Sequence, residues 1–243
     1  MNEDGFFDDR VAATYDAEVG AARVDAEDPM VRFLAGLAGG DPALEFAVGT
    51  GRVALPLARH GIPVHGIELS RAMVERLRAK PGGSDLPVSI GDMATTRVDG
   101  RFGLVYLVFN TIMNLTSQDA QVACFRNAAA HLRPGGAFVV EVMVPRLTCL
   151  SPGNPRHVFA ASEGHVGVDV YDLVNQGLVS HHYVGRGAAV EHRALPCRYV
   201  WPAELDLMAE LAGMTLAERW GGWRREPFTA ASDSHVSVWR SPG

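Results

Sequence analysis

Between residues 43 and 142, short and almost wholly apolar runs alternate with amphipathic stretches. This rhythm limits what the chain can fold into more than any other feature. The runs at 43–48, 63–67, 86–90, 102–109 and 137–142 are too short for helices. They lack the polar alternation of a half-exposed strand, as expected when both faces of a sheet are covered. Helical patterns at 52–60, 70–80 and 117–132 fall between them, with Ser70 placed as a cap and Gly61 and Pro134-Gly135-Gly136 as stops. Strand–helix alternation of this length predicts an α/β fold, a doubly wound and mostly parallel sheet with helices on both faces.

Two helices precede the sheet. One spans 6–19; the other starts at Asp28-Pro29, an acidic cap followed by proline in the first turn, and stops at Gly39-Gly40. After Val144 the period changes to two, over 166–171, 178–184 and 190–200, which predicts a small antiparallel β-sheet inserted into the frame. The frame resumes with a helix over 202–212 and strands over 215–220 and 235–239. The expected organisation is a helical lid over 1–40, a ligand-binding domain over 41–145 and 201–243, and an inserted substrate and dimerisation subdomain over 146–200. A homodimer is expected because the edges of the inserted sheet need covering.

Composition narrows the partners. The net charge is -6, Lys80 is the only lysine, and the arginines are interspersed with acids. Without a basic stripe to neutralise phosphates, nucleic acid is not an expected partner. No stretch approaches the ~18 consecutive apolar residues that read as a membrane span. The N-terminus is acidic with no apolar run behind it, so no signal peptide is expected and the expected compartment is the cytoplasm. Cys124, Cys149 and Cys197 are far apart, and no metal-ligand spacing occurs, so neither a disulfide framework nor a metal site is expected.

The chemistry concentrates in Glu45-Phe-Ala-Val-Gly-Thr-Gly-Arg52, with Glu68 ending the second strand and Asp92 following the third. In an open parallel sheet, ligands bind beyond the carboxyl ends of the strands, where strand order reverses. Gly49 and Gly51 let the backbone approach a ligand closely, and the next helix points free N–H groups at it. A dinucleotide loop would carry a third glycine, but position 54 is alanine, and Glu45 just before the loop would repel a pyrophosphate. A ligand with an ammonium, a sulfonium and a ribose diol suits these acids better.

At these residues the sequence resembles the class I S-adenosylmethionine-dependent methyltransferases, in their small-molecule branch. Glu45-x-Ala-x-Gly-Thr-Gly matches the family's first motif, with Ala47 in place of the usual first glycine. His65-Gly-Ile-Glu-Leu-Ser70 with Met73 resembles the second, Gly91-Asp92-Met93 the third, and the turn at 132–138 the approach to the fifth strand. The resemblance implies a Rossmann-like seven-stranded fold that binds S-adenosyl-L-methionine and releases S-adenosyl-L-homocysteine. It implies that Glu68 holds both ribose hydroxyls, Leu69 packs on the adenine, Asp92 accepts from the adenine amino group and the Met93 backbone reads the ring. Tyr15 resembles the N-terminal tyrosine that closes over the cofactor. Ala47, Gly49, Gly51, Met73 and Phe109 complete the expected cofactor set.

Acceptor contacts are expected after the fourth strand and in the insert: Asn110, Asn114, Tyr183 and Arg186. The catalytic candidates are His182, Tyr183 and Asn114. His181 and His182 are adjacent, so in a strand they face opposite ways and only one can enter a pocket. His192, Arg224, Arg225 and His235 are further polar candidates. The expected activity is in-line methyl transfer to N or O of a small-molecule acceptor, a secondary metabolite or aminosugar. The alternatives are an NAD(P)-dependent oxidoreductase on the same fold and a non-catalytic protein that binds the cofactor or its product.

Overall fold

The computed structural model describes residues 5–19, 24–186 and 189–243. Seven strands form the main sheet: β1 (Ala43–Phe46), β2 (Val64–Glu68), β3 (Val88–Ile90), β4 (Phe102–Leu107), β5 (Leu132–Met143), β10 (Thr215–Trp220) and β11 (Ser234–Arg240). Their order is β10-β11-β5-β4-β1-β2-β3. Only β11 runs against its neighbours, pairing antiparallel with both β5 and β10. Strand order therefore reverses between β1 and β4, and the crevice for a ligand opens there.

β1 and β4 are buried along their whole length, which explains their unbroken apolar runs. One face of the sheet packs Leu44, Phe46, Val105 and Phe138 against α5 (Gln118–His131) and α6 (Pro202–Leu211). The other packs Ala43, Leu104 and Val139 against α2 (Pro29–Ala38) and α3 (Ala54–Arg59). The caps read from the sequence form. Asp28 accepts from the Met30 N–H, Gly39 takes the left-handed conformation that ends α2, and Ser70 accepts from the Met73 N–H at the start of α4 (Arg71–Arg78).

The first strand ends two residues earlier than the apolar run suggests. Ala47 sits at φ 53°, which takes the chain out of the extended region and begins the turn. The N-terminal helix α1 (Asp9–Val19) is also shorter than expected and lies against α4.

Between β5 and α6 stands a second sheet of four antiparallel strands, β6 (Arg156–Ser162), β7 (His165–Asp172), β8 (Gly177–Arg186) and β9 (Ala189–Arg198), in sequential order. β6 is the strand that the period-two segments do not reveal. A register shift between Val158 and Ala160 interrupts its alternation, and most of it is exposed.

Candidate active site

The site begins at the turn after β1. Ala47, Gly49 and Gly51 all have positive φ, 53°, 55° and 76°. Glycine adopts this region freely, whereas alanine is strained in it by roughly 1–2 kcal/mol. Glu68, at the end of β2, holds the turn from the side. One of its carboxylate oxygens accepts from the Gly49 N–H at 2.8 Å and the other from the Ser70 N–H at 2.9 Å.

Glu45 lies just before this turn, at the end of the buried β1. It is 3% exposed and accepts from the buried Tyr106 hydroxyl at 2.9 Å. Burial pushes its carboxyl up to about 8, opposed by the Tyr106 hydrogen bond, the Arg52 charge and the Ala54 N–H. Glu45 shares its side of β1 with Ala43, which packs towards α2 and α3. Met73 is likewise buried, packed beneath Gly49 and against Ala12, Phe7 and Tyr15. It supports the turn from below.

The crevice itself is walled by apolar side chains left open at adjacent strand ends. Leu69 follows β2, Ile90 ends β3 and Phe109 follows β4; Leu69 is 48% and Phe109 45% exposed. Asp92 is exposed beyond β3 and fastens its own turn by accepting from the Ala94 N–H at 2.7 Å. The Met93 side chain is in the main core, and its carbonyl accepts from the Asn127 amide at 2.7 Å. The Arg52 guanidinium lies 4.2 Å from the centre of the Phe109 ring, at the mouth of the crevice. Walls of this kind suit a flat heterocycle. Glu68 and Asp92 can accept from hydroxyl and amino groups, and Arg52 can pair with a carboxylate. The chemistry of S-adenosylmethionine matches that donor and acceptor set.

After β4 the backbone is strained twice in succession: Phe109 and Asn110 have φ 63° and 61°. Such conformations cost free energy and persist only when neighbours enforce them. Glu141 of β5 does so here. Its carboxylate accepts from the Phe109 N–H at 2.9 Å and from the Trp223 indole at 3.2 Å, while its carbonyl accepts from the Asn110 N–H. Asn110 in turn accepts from the Met143 N–H at 2.6 Å. Asn114 closes a short 3-10 turn, Thr111–Asn114, and both asparagines face the same space.

That space is a cavity of about 780 Å³ running from the end of β4 to the inner face of the four-stranded sheet, with α1 across it. Tyr15, Phe109, Asn110, Asn114 and His182 all line it. Tyr183 does not. It lies on the outer face of β8, stacked on His192 at 4.7 Å beside His181, because neighbouring strand residues alternate sides. As a catalytic or acceptor-binding residue Tyr183 is therefore withdrawn. Arg186 ends β8 with its side chain outside the described residues. Arg224 and Arg225 border a separate open cleft beside α2, and His235 is buried in β11.

Several residues of the site escape the sequence patterns. His157, Phe159, His165, Asp169, Ser180 and Arg193 face the cavity from the inserted sheet. Facing depends on register, which period-two patterning alone leaves open. A latch on α1 is equally unheralded. Asp16 accepts from the Thr50 hydroxyl at 2.6 Å and pairs with Lys80 at 2.6 Å, and Lys80 also donates to the Thr50 carbonyl. Ser70 donates to the Phe7 carbonyl, and Glu18 pairs with Arg193 of β9 at 3.2 Å. One helix is thus fastened to the glycine turn and to the inserted sheet together.

Residues 43–136 match a family described as a methyltransferase domain. The structure superimposes on the CcbJ methyltransferase of Streptomyces caelestis with a TM-score of 0.87 and 37% identity, covering 98% of each chain. The Cypemycin N-terminal methyltransferase of a Streptomyces species is 26% identical over 202 residues, 82% of each chain. At 21% identity and a TM-score of 0.68, the fold is shared with the amino pentose methyltransferase CalS10 of Micromonospora echinaspora, solved with S-adenosylmethionine bound, covering 93% of this chain and 96% of that one.

Proposed function

This chain belongs to the class I, Rossmann-like S-adenosylmethionine-dependent methyltransferases, and on that footing we propose that it methylates an amine nitrogen of a small molecule, a secondary metabolite or aminosugar. The observation that carries this reading is the cavity, which joins the crevice at Phe109 and Asn110 to a histidine-bearing wall of the inserted sheet. Burial and the neighbouring His165 lower the proton affinity of His182, so its ring is neutral near neutral pH. A neutral imidazole suits an ammonium proton far better than that of an alcohol. An amine acceptor also fits the name of the Cypemycin N-terminal methyltransferase.

In this reading Glu68 takes the ribose hydroxyls, Asp92 the adenine amino group, Leu69 and Ile90 the adenine faces, and Arg52 the carboxylate. When bound, the cofactor supplies a methyl on a sulfonium, an electrophile whose C–S electron pair stays on sulfur. The protein's part is alignment and dryness. The strained Phe109–Asn110 turn, held by Glu141, fixes the floor between the two ligands, and α1 with Phe7 and Tyr15 shuts out water.

Calorimetric titration with S-adenosylhomocysteine, followed by a panel of amines and aminosugars scored for methyl gain by mass, tests the proposal. Product binding with methylation of at least one amine is expected. Methylation confined to hydroxyl acceptors would overturn the nitrogen assignment. A second copy of the chain is the proposed partner of the outer face of the inserted sheet, where Val158, Val166 and Tyr183 are exposed. Sedimentation that shows only monomer at high concentration would overturn that part.

A further inference from the structure

The inner face of the inserted sheet carries one polar strip. In the register of β7 and β8, Asp169 stands opposite Ser180, and Gly167 stands opposite His182. A Cβ at position 167 would run into the Phe159 ring, so glycine lets that ring lie against His182, 5.3 Å between centroids. The His165 Nε2 is 3.1 Å from the His182 Nδ1, with the rings parallel to within 3°. The His182 Nε2 is 3.3 Å from the Ser180 Oγ, and Ser180 stands across from the buried Asp169 carboxylate and holds its proton affinity down. All four residues line the cavity.

We propose that His165, His182, Ser180 and Asp169 form a proton relay that takes the ammonium proton from the amine acceptor, with His165 Nδ1 as the receiving atom. This rests on the reading of the cavity as an amine methyltransferase's acceptor site. The polarity of the chain follows from its far end. An ionised carboxylate can only accept, so Ser180 donates to Asp169. The Ser180 oxygen then accepts from the His182 Nε2–H. With that proton placed, His182 Nδ1 is bare and accepts from the His165 Nε2–H, which leaves the lone pair of the pair of rings on His165 Nδ1. Two imidazole nitrogens at hydrogen-bond distance share one proton between them, so the histidines act together.

A proton received at His165 Nδ1 releases Nε2–H to His182 Nδ1. His182 then releases its Nε2–H to Ser180 Oγ, and Ser180 passes its own proton to Asp169. Each intermediate member gains one proton and loses one. The ammonium becomes a neutral amine with a free lone pair, and Asp169 becomes a neutral acid. Burial raises the Asp169 carboxyl, which favours that end state, while Ser180 opposes it. The charged groups that face the strip are His157 from β6, Arg193 from β9 and Glu18 from α1, while His181 acts on it from the outer face of β8. Arg193 is paired with Glu18 and with Glu191 at 3.0 Å, so its charge is largely answered locally.

The test is side-chain nitrogen NMR on the full chain with S-adenosylhomocysteine, from about pH 5 to 8, beside kinetics with an amine found in the panel. His182 is expected as a fixed Nε2–H tautomer, and the two rings together are expected to take up a single proton. Ser180→Ala should release that tautomer, lower kcat roughly a hundredfold at neutral pH and move the rising limb of the pH–rate profile. Ser180→Thr should restore both, with affinity for S-adenosylhomocysteine unchanged throughout. Independent titration of His165 and His182 with mixed tautomers would overturn the relay. Normal turnover in Ser180→Ala would overturn it and leave the acceptor reading standing, whereas no methyl transfer to any amine by the parent chain would overturn both.

Discussion

In the main sheet β1 and β4 are buried on both faces, whereas in the inserted sheet β6 leaves Val158 57% exposed and the inner face of the sheet meets a cavity. The two sheets also differ in what they turn towards the site. The first uses backbone turns, with three positive-φ residues of which Gly49 is held by the Glu68 carboxylate. The second uses side chains matched across strands, such as Asp169 with Ser180. A turn of that kind is written in neighbouring residues and tolerates little change. A cross-strand wall can be rewritten one pair at a time, which is the freedom an enzyme family needs to change acceptors on one cofactor frame.

The sharpest way to break this comparison is to strike one sheet and watch the other. Glu68→Ala removes the acceptor for two backbone N–H groups and for the ligand, and should weaken S-adenosylhomocysteine binding by about a hundredfold, on the order of 3 kcal/mol, in calorimetry. Asp169→Asn should leave that affinity within about twofold, since the strip lies on the other sheet. Equal losses in both variants would mean that the two sheets bind as one unit.

The next contrast concerns acid. His235 is buried in β11, its Nδ1 meets the Ser237 hydroxyl at 2.8 Å, and burial lowers its pKa to about 4. The folded-state pKa lies below the unfolded value of about 6.5, so on acidification the unfolded chain binds this proton first. The stabilising effect is full above about pH 6.5 and is lost as pH falls towards 4, on the order of 3 kcal/mol in all. Urea unfolding at pH 7 and pH 5 reads the slope, and a His235→Leu variant should flatten it.

A smaller effect is expected at the seam between the sheets. Arg193→Ala removes the pairing of β9 with Glu18; the Arg193 side chain is 11% exposed and that of Glu18 39%. The loss should be about 1 kcal/mol, read as faster hydrogen exchange in α1 and little change elsewhere. Ala47→Gly should gain up to about 1 kcal/mol, because glycine adopts φ 53° without strain. Thermal unfolding checks it. Tyr183→Phe, on the outer face of β8, should leave methyl transfer unchanged in the same assay that resolves Ser180→Ala.

The same contrast explains what could be read from the residues alone. The glycine turn, Glu68, Asp92 and the apolar strands are local signals, and each falls where the alternation of strand and helix puts it. Tyr183 failed because parity within a strand is fixed while its absolute phase is not, and only packing shows that His182 faces inward. Arg52 adjoins the glycine turn in the sequence, yet its reach over Phe109 depends on the strained turn after β4. Glu141 and Arg193 act across more than thirty residues of chain, as does the latch through Asp16, and no short pattern announces such pairs.

The latch has a practical consequence through its lysine. Lys80 is the only lysine in the chain, its side chain is 31% exposed, and it is bound to Asp16 and the Thr50 carbonyl. An amine-directed reagent used above the pH that spares side-chain ammonium groups therefore has a single lysine to mark, and it sits on the fastening of α1. Its labelling rate becomes a clock for how often the helix lets go, readable by mass in the peptide that carries it without any engineered tag.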